Sequence, residues 1–320
     1  MAVKNKLISD KLFSGDSSAI LSNTNLFKDK SVDFIVTSPP YADKRKNYYA
    51  SIHPDKYVSW FMPIADELHR VLKDDGSLIL NIKEHARNGE RDTYVLELIL
   101  EMRKHGWHWI EEYCWYKKNA FPGKWPNRFR DAWERCLHFT KNKSFVMYQE
   151  AVTVPMGIWT EKRFKSMSNK DFERHISQTN GSLGRNVSNW INRKEAYPHN
   201  VMVFEEEHYV SNVLEFATVC YNKDHGAAFP MELPMWFINL FTKQGDLVLD
   251  PFMGSGTTAL VCIGMNRKYT GIEIMDDYVK GAQKTIDKLK KNIPSTENAK
   301  KYQPLSSKAI QRRIKHAPAT

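Results

Sequence analysis

Val32-Asp33-Phe34-Ile35-Val36 runs into Thr37-Ser38-Pro39-Pro40-Tyr41, and Leu247-Val248-Leu249 runs into Asp250-Pro251-Phe252-Met253-Gly254-Ser255-Gly256-Thr257-Thr258. Each is a short apolar run cut off by a proline-bearing turn, the pattern of a buried strand in a parallel sheet. In open α/β sheets the groups that hold ligands gather just past the carboxyl ends of the strands. The two turns are therefore expected to face one crevice. The first presents polar atoms on a proline-locked turn, and the second is a glycine-bearing turn that opens a helix.

The flanking sequence alternates in the same sense. Leu12-Phe13 predicts a short strand before the turn Ser14-Gly15-Asp16-Ser17, then a brief helix around Ala19 to Leu21. Apolar residues at helical spacing from Trp60 to Leu72 predict a helix stopped by Asp74-Asp75-Gly76, and Leu78 to Ile82 predicts the next strand. A helix over Tyr94 to Met102 and a strand over Trp107 to Tyr116 follow, and Cys136 to Phe139 is expected to pair antiparallel with Phe145 to Tyr148. From about Phe121 to Gly226 the periodicity is poor, and Val201 to Phe204 is the clear strand. Order returns with a helix over Met231 to Thr242, the strand Leu247 to Leu249, a helix over Thr257 to Met265, a strand over Tyr269 to Ile272 and a helix over Asp276 to Leu289. This is the alternation of an α/β fold with a doubly wound, mostly parallel sheet. It divides the chain into 1–120, an inserted region 121–226, a second half 227–292 and a basic tail 293–320.

Composition narrows the function classes. The chain has 320 residues, 42% of them hydrophobic, and no apolar stretch nears the ~18 residues that a membrane helix needs. Met-Ala-Val-Lys-Asn-Lys leads into mixed polar sequence, so no secretory signal is expected and the cytoplasm is the expected compartment. The four cysteines, Cys114, Cys136, Cys220 and Cys262, form no CxxC pair, and His105 and His108 lack neighbouring ligands, so no metal site is expected. Lys plus Arg is 47 against 37 for Asp plus Glu, and the resulting +10 suits a polyanionic partner.

Taken in their order along the chain, Thr37 to Tyr41 and Asp250 to Thr258 resemble the catalytic and cofactor motifs of the β group of DNA amino-methyltransferases that use S-adenosylmethionine, of the cytosine-N4 type. Phe252-Met253-Gly254-Ser255-Gly256 resembles the FxGxG cofactor motif of that family. Neither GxGxxG nor GxxxxGK[ST] is present, which disfavours dinucleotide and phosphate-loop readings. Asp250 ends its strand where a carboxylate can meet the ammonium of a methionine moiety, with Pro251, Ser255 and Thr257 on the same turn. Glu273 ends the next strand, about 20 residues on, where an acid accepts from ribose hydroxyls in related folds. The resemblance adds Asp16 at the adenosyl end and Phe229-Pro230 as a wall of the methionine end.

The chemistry that the resemblance implies accounts for Ser38-Pro39-Pro40-Tyr41. An exocyclic amine on cytosine or adenine is planar, and its lone pair is delocalised into the ring. The Ser38 side-chain oxygen and the Pro39 carbonyl are the candidate acceptors of its two N–H groups, Pro40 helps to hold that carbonyl, and Tyr41 can stack on a flipped base. Carbon-5 methylation needs a cysteine after a proline, and none of the four cysteines follows one. N4 of cytosine is the expected target, with N6 of adenine as the alternative.

Lys44, Arg45 and Lys46, near Tyr48 and Tyr49, are expected over the DNA phosphates. The inserted region holds the place of a target-recognition region and opens with cations among aromatics: Lys117, Lys118, Phe121, Lys124, Trp125, Arg128, Phe129 and Arg130. Implied partners are double-stranded DNA and, as a functional partner within a restriction-modification system, a cognate restriction endonuclease; no membrane or metal partner is expected, and the chain works as a monomer or dimer. A protein or RNA amine methyltransferase and an inactive DNA-binding module are the rivals from other classes.

Overall fold

The computed structural model describes residues 7–42, 52–117, 129, 131–155, 166, 195–202 and 229–292. Its elements run β1 (Lys11–Ser14), α1 (Ser17–Leu21), β2 (Val32–Thr37), α2 (Pro54–Val71), β3 (Leu72–Ile82), the hairpin β4 (Ala86–Arg87) and β5 (Glu90–Arg91), α3 (Tyr94–Lys104), β6 (His108–Tyr116) and β7 (Trp133–Thr140). After a single 3-10 turn (Gln149–Val152) come β8 (Val154–Pro155), β9 (Glu195–Ala196), β10 (Val201–Met202), α4 (Glu232–Phe241), β11 (Leu247–Asp250), α5 (Thr257–Gly264), β12 (Lys268–Glu273) and α6 (Asp276–Asn292).

Eight strands form one sheet in the order β1-β12-β11-β2-β3-β7-β6-β10, with β7 antiparallel to both its neighbours and every other pairing parallel. The chain leaves β2 for β3 on one side and β11 for β12 on the other. The switch point therefore lies between β2 and β11, where Phe34 pairs with Val248 and Ile35 with Leu249.

The pleat of these strands sorts side chains between two cores. Val32, Ile35, Leu78, Leu80 and Leu249 face α1, α2 and α3, whereas Phe34, Val36, Ile79 and Val248 face α4, α5 and α6. On α2 the apolar stripe Tyr57, Phe61, Ile64, Leu68 and Val71 recurs at helical spacing, so one helical face closes the first core. Asp33 stitches the switch point from below: one of its oxygens accepts from Leu247 N–H at 2.9 Å and the other from Lys73 Nζ.

Two sequence expectations change. The helix stops at Val71 and β3 starts at once from Leu72, passing through Asp74-Asp75-Gly76 rather than ending a helix there. Gly76 is needed because a Cβ at that position would lie 2.8 Å from the Asp33 carbonyl and 2.6 Å from Leu72 Cδ1. Cys136 to Phe139 does not pair with Phe145 to Tyr148, because β7 has both edges filled by β3 and β6. The second segment runs alone, donating from Val146 N–H to Asp75 O at 2.9 Å and from Tyr148 N–H to Leu240 O at 2.7 Å. No helix among the described residues is long and apolar enough to cross a membrane.

Candidate active site

Three strand ends meet on the cofactor side of the switch point. Gly15, with φ 140, donates its N–H to the Glu273 carbonyl at 2.9 Å, and the Ser17 hydroxyl donates to the Pro251 carbonyl. Asp16 caps α1 by accepting from Ala19 N–H at 2.9 Å. The predicted residues Asp16, Asp250, Pro251, Phe252, Gly254, Ser255, Gly256, Thr257 and Glu273 thus belong to one cluster of turns. Gly254 and Gly256 take the left-handed values φ 55 and φ 87, and a Cβ on Gly256 would also press on Ala282 Cβ at 3.0 Å.

The carboxylates of this cluster shape it from within. Glu273, only 4% exposed, accepts from Gly254 N–H at one oxygen and from Met275 N–H at the other, both at 2.9 Å. Asp250 is 1% exposed; Oδ1 accepts from the Thr37 hydroxyl at 2.7 Å and from Phe252 N–H at 3.1 Å, and Oδ2 from the Thr258 hydroxyl at 2.6 Å. Burial pushes its pKa up to about 6, against the pull of the hydrogen bonds from Thr258, Thr37 and Phe252. Phe252 lies against the rings of Trp60 and Phe61 on α2, with centroids 5.8 and 6.4 Å away. Phe229 and the buried Pro230 stand at the entry to α4, with Phe229 packed on the second core.

These residues fit S-adenosylmethionine on grounds of their own structure. Gly256 opens α5 with no capping side chain, which leaves the positive end of the helix to a ligand anion without competition from a cap. A cradle without a Cβ at 254 and 256, and a carboxylate at the end of the next strand, complete the donor and acceptor set.

The serine turn lies on the other side of the switch point. The Pro40 carbonyl accepts from Tyr57 OH at 2.9 Å, and no described residue donates to the carbonyl of Pro39. Ser38 Oγ donates to Tyr41 OH at 3.4 Å, and Tyr41 OH donates to Glu134 Oε2 at 2.7 Å, with Asn81 Oδ1 3.2 Å away. Asn81 Nδ2 donates to the Arg135 carbonyl at 3.1 Å, which turns its oxygen towards the tyrosine. Lys117 Nζ donates to the other oxygen of Glu134 and sits over the Trp115 ring, 4.7 Å from its centroid. Burial alone would raise the Glu134 carboxyl, yet the Lys117 ammonium and the bonds from Lys117 and Tyr41 hold it below the ordinary carboxylate range. Burial, with the Glu134 anion alongside, drives the Tyr41 phenol well above its usual value.

Asn81 and Glu134 are additions to the residues read from sequence. Their signal was a polar residue at an inward position of a buried strand, Asn81 within Leu78 to Ile82 and Glu134 after Trp133. Lys117, read with the DNA-facing cations, instead turns inward to Glu134. Lys44, Arg45, Lys46, Lys124, Arg128 and Arg130 lie outside the described residues, while Phe129, between the last two, is 98% exposed. No group of three or more metal-ligating side chains occurs among the described residues.

Comparison with known proteins gives a consistent likeness. The sequence profile of the N6/N4 group, described as DNA methylase, matches residues 32–284. The Type II methyltransferase M.PvuII of Proteus hauseri is 27% identical over 279 residues, which cover 84% of this chain and 81% of that protein. The solved structure of PvuII DNA methyltransferase (cytosine-N4-specific) shares the fold with a TM-score of 0.56 at 24% identity, covering 91% of this chain and 90% of that one. The M1.HpyAVI–SAM complex does so with a TM-score of 0.51 at 18% identity, over 86% of this chain and 98% of that one.

Proposed function

The chain belongs to the N6/N4 DNA methylase family, and from that premise we propose that it methylates the exocyclic N4 amine of cytosine in duplex DNA, with S-adenosyl-L-methionine as methyl donor. One observation carries the reading: the Thr37–Asp250 hydrogen bond at 2.7 Å locks the serine turn to the glycine turn at the switch point. A methyl donor held by one turn and an amine held by the other are then neighbours.

The bound donor supplies an electrophilic sulfonium methyl. Glu273 would accept from the ribose hydroxyls, the Asp16 turn would border the adenosyl end, and the opening amides of α5, with Ser255 and Thr257, would receive the methionine carboxylate. Asp250 braces this pocket, and its partly filled Oδ2 can meet the methionine ammonium; Pro251, Phe252, Phe229 and Pro230 wall it. Ser38 Oγ and the Pro39 carbonyl accept the two N–H bonds of the target amine and draw its nitrogen towards tetrahedral geometry, so that the lone pair can attack in line; the N–C bond forms as the S–C bond breaks with its electrons left on sulfur, and the surplus proton of the amine passes to water. Tyr41 gives the flipped base an aromatic face.

Serine at position 38 supports cytosine over adenine, and so does the relative described as cytosine-N4-specific. Residues 121–226 form the target-recognition region between the two halves 1–120 and 227–292, with Lys124, Arg128 and Arg130, and Lys44, Arg45 and Lys46 ahead of it, meeting the DNA backbone. The enzyme acts in the cytoplasm as the modifying member of a restriction-modification system. Long-read sequencing of DNA from cells that express the protein tests this reading. A single modified cytosine within a fixed sequence supports it, and DNA indistinguishable from that of control cells defeats it.

A further inference from the structure

The serine turn does not end at Ser38. A hydroxyl is a weaker acceptor than the carboxylate that could stand in its place, so a serine enzyme needs another source of polarisation. From Ser38 a line of hydrogen bonds runs through Tyr41 OH and ends on Glu134 Oε2, with links of 3.4 and 2.7 Å, and the other oxygen of that carboxylate accepts from the Lys117 ammonium. Its direction matters more than its length. Tyr41 OH faces two acceptor-only oxygens, Glu134 Oε2 at 2.7 Å and Asn81 Oδ1 at 3.2 Å, and the shorter contact to the charged group takes its single hydrogen. The phenol oxygen then offers lone pairs to Ser38, and Ser38 spends its own hydrogen there. What Ser38 turns towards the crevice is lone pairs alone. The long first link is of a kind that tightens when substrate binds.

We infer that Glu134, acting through Tyr41, is a positioning residue that orients and polarises the Ser38 hydroxyl as an acceptor for the target amine. Chains of hydrogen bonds that end on an anion polarise one another, and a site closed to water keeps that effect. Glu134 is 6% exposed, and Lys117 keeps it charged at neutral pH. Lys117 and Glu134 also flank the neck of the recognition region's opening stretch: Lys117 N–H donates to the Ala132 carbonyl at 2.6 Å, and Tyr116 pairs with Trp133. The group that sets the serine is therefore anchored where the chain departs towards, and returns from, the basic stretch.

The inference rests on methyl transfer at Ser38, and double-mutant cycles separate the two. Single-turnover methyl transfer is measured with the full chain, duplex DNA and labelled S-adenosylmethionine, alongside calorimetric cofactor affinity. Glu134→Gln and Tyr41→Phe should each slow transfer by roughly tenfold, the scale of a lost hydrogen bond to a charged group, with cofactor affinity unchanged. The double variant should be no slower than either single one, whereas independent effects would multiply to roughly a hundredfold and overturn the inference. Should Glu134→Gln not fold, Tyr41→Phe combined with Ser38→Ala repeats the cycle: no further loss in the Ser38→Ala background supports the chain, and an undiminished tenfold loss overturns it. A wild-type protein that transfers no methyl group at all would defeat the proposed function instead.

Discussion

The Thr37 hydroxyl and the Asp250 carboxylate, 213 residues apart in sequence, meet in a buried hydrogen bond of 2.7 Å at the carboxyl ends of β2 and β11. Thr258, on the first turn of α5, holds the other oxygen of the same carboxylate at 2.6 Å. One acid therefore fixes the serine turn, its own strand end and the helix that follows the glycine turn. Removing the Thr258 hydroxyl leaves the buried Oδ2 without a donor, a loss of about 1–3 kcal/mol, whereas Oδ1 keeps the Phe252 N–H when the Thr37 hydroxyl is removed.

Asp250 should leave a mark on the pH dependence of stability. Its pKa in the fold is about 6 against an ordinary 3.8, so between those values the folded chain binds the extra proton. Its contribution is fully present below the ordinary value and is lost as pH rises towards about 6. Urea unfolding of wild type and Asp250→Asn across this range should show the wild type losing ground to the variant as pH rises, then no further change. A difference that stays constant from pH 4 to 6 would mean that Asp250 titrates as an ordinary acid.

Glu273→Ala should weaken S-adenosylmethionine binding by about 1.5–3 kcal/mol, the worth of charge-assisted hydrogen bonds. It also strips the Gly254 and Met275 amides of their acceptor, so the glycine turn should loosen as well. Calorimetry on a variant that melts near wild type is the check. Unchanged affinity there removes the ribose assignment.

The strand ends were legible because their signals are local. A proline after Val32 to Val36 or after Leu247 to Asp250 ends a strand whatever else surrounds it. The start of α2 was not legible, since Pro54 and Asp55 carry no apolar pattern and begin the helix through a cap at His53 and a proline in its first turn. Pairing across distance left no local trace. Glu134 reaches Tyr41, 93 residues away, because β7 runs antiparallel to β3 in the register that sets Asn81 opposite Cys136. Lys117 looked like one more cation in a basic run, and only its neighbour on β7 turns it inward.

Arg128→Ala and Arg130→Ala should each reduce DNA affinity and lower the slope of its salt dependence by about one unit, with cofactor affinity untouched. Titrations of duplex DNA at several salt concentrations read both quantities. If neither slope moves, these arginines belong to a solvated face and the backbone contacts lie elsewhere.

Mass spectrometry of nucleosides from DNA methylated by the purified protein tests the central claim most directly. The Ser38 turn should yield N4-methyl-2′-deoxycytidine, and Ser38→Ala should lower its formation by about 10²–10³ while cofactor binding stays near normal, as for loss of one preorganised polar contact. N6-methyl-2′-deoxyadenosine without N4-methyl-2′-deoxycytidine, or full activity in Ser38→Ala, would contradict it.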